Sequence, residues 1–349
     1  MLLLPFFNRI FDECSITGYL AAWPEERTMF LKKAYGFFNF LILQAVPCIS
    51  RPRKSKVGGQ AVIEGVMMRG KKMISWAVKK PAGEIILESF PFVSASRKHA
   101  VLKWPVFRGA VNLFESLKIG YRALSRSAEI AYDEEVREED KNWKTTLTSI
   151  GTFVFAFGLS IFLFLYLPML LLTLLGFEKS AFAFNFLAGI IRIALFLGYL
   201  LGISLWKDIR RLFEYHGAEH KAIFAFEDGK ELTIENMTPY KTFHPRCGTS
   251  FIILVSLVCI LLFSVIDALI LHFILDSGYP VWLRLIVHLG LIPIVSGVSY
   301  EVLKLSDRYR HVFPFNLLVL PGLWLQRITT REPDNNQLEI ATRALKAVL

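Results

Sequence analysis

Four stretches of this chain are apolar over a greater length than a globular core element needs, and they fix its class. They cover residues 146–176, 182–206, 251–275 and 281–303. A helix that crosses a bilayer needs about 20 mostly apolar residues, and each stretch supplies them. The ionisable residues that stand out inside them are Arg192 in the second, Asp267 and His272 in the third, and Arg284 and His288 near one end of the fourth. Composition agrees: 54% of the 349 residues are hydrophobic and 30 are Phe, which excludes a disordered or fibrous chain. Yet 20% are charged and the formal net charge is +10, so a water-facing portion must hold those charges. The expected fold is an α-helical polytopic membrane protein with four transmembrane helices and a small cytoplasmic α+β N-terminal domain. Cys14, Cys48, Cys247 and Cys259 do not make a disulfide scaffold.

Charge orients the bundle. Lys141 and Lys144 precede the first span; Lys207, Arg210, Arg211, Lys241 and Arg246 lie between the second and third; Lys304, Arg308 and Arg310 follow the fourth. By the positive-inside rule all these segments face the cytoplasm, as do both termini. The acidic run at 133–140 does not overturn this, because Asp and Glu count little in that rule. Residues 1–56 read as an N-terminal extension, interfacial or disordered, or as an upstream start; they lack the order of a signal peptide.

The water-facing segments carry their own patterns. Residues 57–144 begin with QAVIEGVMMRG, MISWAVKK and EIILESF, the last two joined by the turn signal Pro81-Ala82-Gly83. The glycines around Gly58–Gly70 read as serving turns and bulges, with Glu64 and Arg69 as the alternative ligand-facing groups. A long helix follows, with Val106, Ala110, Leu113, Leu117, Tyr121 and Leu124 on one stripe. That stripe is expected to pack on the hairpin; the alternative is an anionic lipid surface, suited to the basic flank of Lys103, Arg108, Lys118, Arg122 and Arg126. In the C-terminal part, 305–349, an apolar run broken by Pro314 and Pro321 reads as interfacial or re-entrant. Asp334 with Gln337 then forms a capping-box pattern before a helix bearing Leu338, Ala341 and Leu345.

The strongest chemical signal lies at 207–250, between spans at 145–206 and 251–304. His216 and His220, four apart, share one helix face, so both imidazoles can reach one ion. His244-Pro-Arg-Cys247 brings two further ligand types together on a turn. Three histidines and one cysteine suit zinc or another divalent transition metal. His-x-x-Glu-His also matches the inverzincin order, with Glu219 as the candidate general base; Glu301 is the candidate for that class's distant carboxylate ligand. Three readings stand side by side. A catalytic site would use His216, His220 and His244, with Cys247 as fourth ligand or nucleophile. A structural zinc would use all four, with Glu219 as an orienter. A metal-free arrangement would make them loop and cap residues.

Within the spans, Arg192, Asp267 and His272 are costly unless they face the bundle interior. They could line a pathway, which makes a transporter a third functional class. No nucleic-acid motif interleaves aromatics with the basic residues, so no nucleic-acid partner is expected.

GGQAVIEGVMMRG, the PVFRG and ESLKIGYRALSRSA helix, EYHGAEHKAIFAFE, FHPRCGTSF, SYEVLKLSDR and PGLWLQRITTREPDNNQLEIA occur here in that order. Together they resemble the bacterial membrane proteins grouped as domain of unknown function 1385, the YqhQ-like family. The resemblance spans residues 57–345; residues 1–50 depart from it. It implies a polytopic inner-membrane protein and a metal-dependent enzyme, with His216, Glu219, His220, His244 and Cys247 as the residues carried over. The leading expectation is a metal-dependent hydrolytic membrane enzyme with its site at the cytoplasmic interface. The alternative is a non-enzymatic assembly or quality-control factor that docks a protein partner at the cytoplasmic face.

Overall fold

The first elements form an antiparallel meander: β1 (Gly58–Val62), β2 (Gly65–Arg69), β3 (Met73–Lys79) and β4 (Ile85–Pro91), paired in that order. The structure is a computed structural model that describes residues 57–98, 101–133, 143–177, 180–245, 247–274, 279–309 and 315–349. The extension at 1–56 and all but Asp133 of the acidic run lie outside the described residues. The expected hairpin turn is present: the Gly83 N–H donates to the Lys80 carbonyl at 2.9 Å, and Gly83 has φ 92°, which a side chain would strain.

Ten helices of the described residues are used below. They are α1 (Phe107–Ala131), α2 (Trp143–Ile161), α3 (Leu167–Leu174), α4 (Ala181–Ile203), α5 (Lys207–Glu227), α6 (Ile234–Met237), α7 (Gly248–Phe273), α8 (Val281–Arg308), α9 (Phe315–Thr329) and α10 (Asn335–Lys346). A π-helical turn over Phe162–Tyr166 joins α2 to α3 without a break. Among the described residues, four helical stretches are long and apolar enough to cross a membrane: Ile150–Leu174, Ala181–Ile203, Phe251–Phe273 and Val281–Ser306. They coincide with the four apolar stretches of the sequence to within a few residues.

The sheet is covered on both faces, which explains why GVMMR and MISWAVK are apolar without alternation. Met67, Ile74, Trp76 and Val78 meet Ala123, Ile130 and Ala131 of α1. Val66, Met68 and Ala77 point the other way, onto Tyr215, Ala218 and Ala222 of α5 and Leu338, Ala341 and Leu345 of α10. The core therefore joins segments more than a hundred residues apart. The α10 helix carries the expected capping box, with both the Asp334 and Gln337 side-chain bonds made.

Two expectations change. The apolar stripe of α1 does not pack on the hairpin: Leu117 and Tyr121 are 63% and 68% exposed. The face that does is small, with Gly120, Ala123 and Ser127 buried. Close approach is the reason. Gly120 lies against the Gln60 side chain, and Ser127 Oγ accepts the Ile63 N–H at 3.1 Å. Nor does Pro321 end the C-terminal apolar helix; α9 runs through it. At 15 residues α9 is shorter than a span, and its Leu325 and Gln326 are buried.

Candidate metal centre

The segment expected to carry the histidines is mostly helix. His216 and His220 lie on one face of α5, four residues apart, their ring centroids 4.4 Å from each other. Cys247 reaches them from the N-cap of α7, where its sulfur accepts the Thr249 N–H at 3.5 Å. That position favours negative charge. His216 Nε2 is 3.1 Å from Cys247 Sγ. One ligand atom from each of His216, His220 and Cys247 lies within 4.8 Å of the others.

Backbone carbonyls orient both rings. His216 Nδ1 sits 2.8 Å from the Thr329 carbonyl, and His220 Nδ1 bonds the Thr242 carbonyl. Each contact uses Nδ1–H as the donor, which leaves Nε2 as the lone-pair nitrogen turned toward the sulfur. His220 Nε2 is buried and makes no well-formed hydrogen bond; the Cys247 sulfur is its polar neighbour. Burial pushes the His220 pKa below the usual histidine range, against the pull of the Cys247 sulfur and the Thr242 carbonyl. A neutral imidazole is the form that ligates a metal.

The other predicted residues take different places. His244 lies beside the triangle, its ring centroid 5.6 Å from that of His220 and 4.4 Å from that of Phe224. Its Nε2 is 3.6 Å from Glu227 Oε2. Glu219 is buried on α5 against β1, where it accepts the Gly59 N–H. Burial raises its pKa above the usual carboxylate range, with His216 and His244 pulling it down. Glu301 is not part of the cluster. Arg108 holds its carboxylate in a two-point bond, so the distant-ligand expectation fails on that pairing.

The glycine-rich hairpin does touch this region. A Cβ on Gly59 would stand 2.8 Å from Glu219 Cγ, so the glycine is there for close approach rather than for a bulge. Glu64 pairs with Arg211 and accepts the Tyr215 hydroxyl at 3.2 Å, which fastens the β1–β2 turn to α5. Arg69 lies elsewhere, beside Glu115 and Ser116 of α1.

Sequence reasoning missed the residues that frame the cluster. Gln326 on α9 accepts the His244 N–H at 2.7 Å and donates to the His244 carbonyl at 2.9 Å. Gly217 lets the Arg331 backbone approach α5, and the Arg331 N–H donates to the Phe213 carbonyl at 2.9 Å. The readable signal for Gly217 was a glycine inside a helix, a placement that costs stability unless something packs closely there.

Inside the spans, Asp267 is fully buried with His288 Nε2 at 3.1 Å, Asn185 Nδ2 at 2.8 Å and Arg284 Nε at 3.3 Å. Arg192 donates to the Phe164 carbonyl in the π-helical turn at 3.1 Å. His272 is exposed and stands apart from this network.

The family described as "Protein of unknown function (DUF1385)" matches residues 104–349. The chain is also similar to the uncharacterized protein YqhQ of Bacillus subtilis (strain 168), at 34% identity over 301 residues. That match covers 84% of this chain and 92% of the relative. No solved structure matches it.

Proposed function

The chain belongs to the DUF1385 family, and from that premise we propose that it is a membrane enzyme dependent on a divalent transition metal, zinc by preference, and hydrolytic in its reaction. The observation that carries this reading is the convergence of His216 Nε2, His220 Nε2 and Cys247 Sγ, with each imidazole's Nδ1 tied to a backbone carbonyl. Two nitrogens and one sulfur suit zinc, and the buried Nε2 of His220 is the kind of group a metal completes. These three residues would hold the ion, and a set of three protein ligands is the catalytic rather than the closed structural pattern. Bound there, the metal supplies Lewis acidity. His244, beside the triangle, would act as a positioning residue in that arrangement; as a fourth ligand it would close the site and make the ion structural. Glu219 holds and moves a proton as the general base, because burial tightens its grip on one. The basic residues that flank the spans support a position for this site and both termini on the cytoplasmic side of the membrane.

The test is elemental analysis of protein purified in detergent without chelator. The reading predicts about one transition metal per chain, lost in a His216→Ala/His220→Ala variant that keeps its melting temperature. No metal in the wild-type protein, even after supplementation, overturns the reading. Metal and fold lost together point to a structural ion instead. Glu219→Gln should retain the metal yet fail to complement a deletion strain; full complementation removes the general-base role.

A further inference from the structure

The fold uses one flank of α1 and leaves another open. The sheet takes the flank of Gly120, Ala123 and Ser127. Phe107, Phe114, Leu117, Tyr121 and Leu124 recur at intervals of seven, three and four, which places them in one row on a different flank. All five are exposed among the described residues, Phe114 the most at 71%. A contiguous apolar row of that length on a protein surface marks a site of contact with a membrane or a partner.

Three observations name the occupant as lipid. The first is where α1 begins. A methyl group on Gly109 would stand 2.8 Å from the Gly297 Cα, so the first turns of α1 are seated directly on the fourth span. Gly297 lies in the apolar part of that span, and Glu301, one turn on, is its first carboxylate and pairs with Arg108. The helix therefore starts where the span leaves the acyl chains. The second is what surrounds that contact. Trp104 and Phe107 are 64% and 54% exposed beside it, and tryptophan at the end of a span marks the headgroup level. Phe107 is also the first member of the apolar row, so the row is continuous with the membrane. The third is charge. Lys118 and Arg122, four apart and exposed, run along one side of the row. The acids of α1, Glu115 and Glu129, are paired with Arg69 and Arg126. An apolar row edged by cations is the pattern that an anionic bilayer surface attracts. We propose that α1 lies along the bilayer surface beside the fourth span, with Phe114, Leu117, Tyr121 and Leu124 in the boundary between headgroups and acyl chains of anionic lipid. Its other flank then holds the sheet at the membrane.

The test does not involve the metal centre. In the full-length protein, benzoylphenylalanine replaces Leu117 or, separately, Phe114. The protein is irradiated both in cell membranes and after reconstitution into vesicles of phosphatidylglycerol and phosphatidylcholine in equal amounts. Mass spectrometry then identifies what each position has attached to, and unchanged melting temperatures show that the probes leave the fold intact. The expected result is a lipid adduct from both positions, with phosphatidylglycerol over-represented in the vesicles. The same probe in place of Arg343, exposed on α10 across the sheet, should give none. Lys118→Gln/Arg122→Gln should abolish the over-representation of phosphatidylglycerol while lipid adducts persist, because the apolar row remains. Adducts to polypeptide in place of lipid overturn the proposal and identify the true occupant as a second protein, a second copy of this chain or residues 1–56. Lipid adducts without phosphatidylglycerol enrichment in the otherwise unchanged protein, or equal lipid yields from the Leu117 and Arg343 positions, overturn it as well.

Discussion

Gly217 follows His216 directly, and a methyl group there would overlap the Arg331 carbonyl oxygen and stand 3.1 Å from Thr242 Cγ2. Both neighbours belong to the frame of the cluster: the chain at 329–331 supplies the Thr329 carbonyl to His216, and Thr242 supplies its carbonyl to His220. Gly217→Ala gains about 1 kcal/mol of helix propensity but forces a packed segment off α5, at about 1–3 kcal/mol. The expected result is a lower melting temperature and, on the proposed metal reading, a weaker hold on the ion; a variant that melts higher refutes the close-approach account. Residue types and spacing made His216, His220 and Cys247 legible, because imidazoles four apart must share a helix face. The carbonyls of Thr242 and Thr329 were not legible, since every residue owns a carbonyl and only the fold selects one. Gln326 was hidden for a related reason: it pins the backbone of His244 from 82 positions away.

At the scale of elements, β4 is fastened to the helix α1 through Glu88. Arg126 donates to its carboxylate at 2.7 Å, and the Trp76 indole N–H donates at 2.9 Å. The Arg126 hydrogen bond outweighs burial and holds the Glu88 carboxyl below its usual range. A depressed folded-state pKa contributes stability that is complete above the unfolded value, about 4.3, and lost as pH falls through the folded value. Glu88 is 34% exposed, so solvent screening limits the contribution to about 1 kcal/mol or less. Melting wild type and Glu88→Gln from pH 7 down to pH 3 should show a gap at neutral pH that closes on the acid side; a gap of constant size would rule the ion pair out as its source. The strands and the helix were each readable from pattern. The face that α1 presents to the sheet was not, because small residues, invisible to an apolar count, allow the closest packing.

Across the whole molecule, hydropathy locates the four spans because twenty apolar residues have no other stable setting. It says nothing of how each span is rotated, so the partners of Asp267 were not readable, and His272 was grouped with it only by neighbourhood in the sequence. The structure gives Asp267 partners on two other helices: Asn185 on α4, and Arg284 and His288 on α8. Arg284 in turn lies 3.8 Å over the Phe184 ring of α4. Asp267, Arg284 and His288 are each no more than 1% exposed, so the network is enclosed by protein and ties α4, α7 and α8 together. An enclosed tie and a conducting pathway make opposite predictions. Asp267→Asn removes the buried carboxylate beside Arg284 and should cost about 3–5 kcal/mol, the penalty for breaking one side of a buried pair. Asp267→Asn/Arg284→Met removes both charges and should recover much of that loss. Melting temperature in detergent and yield in the membrane report both changes. Stability lost in the single variant and regained in the double identifies a structural tie between spans, whereas unchanged stability with altered solute or proton flux in Asp267→Asn would transfer the network to transport.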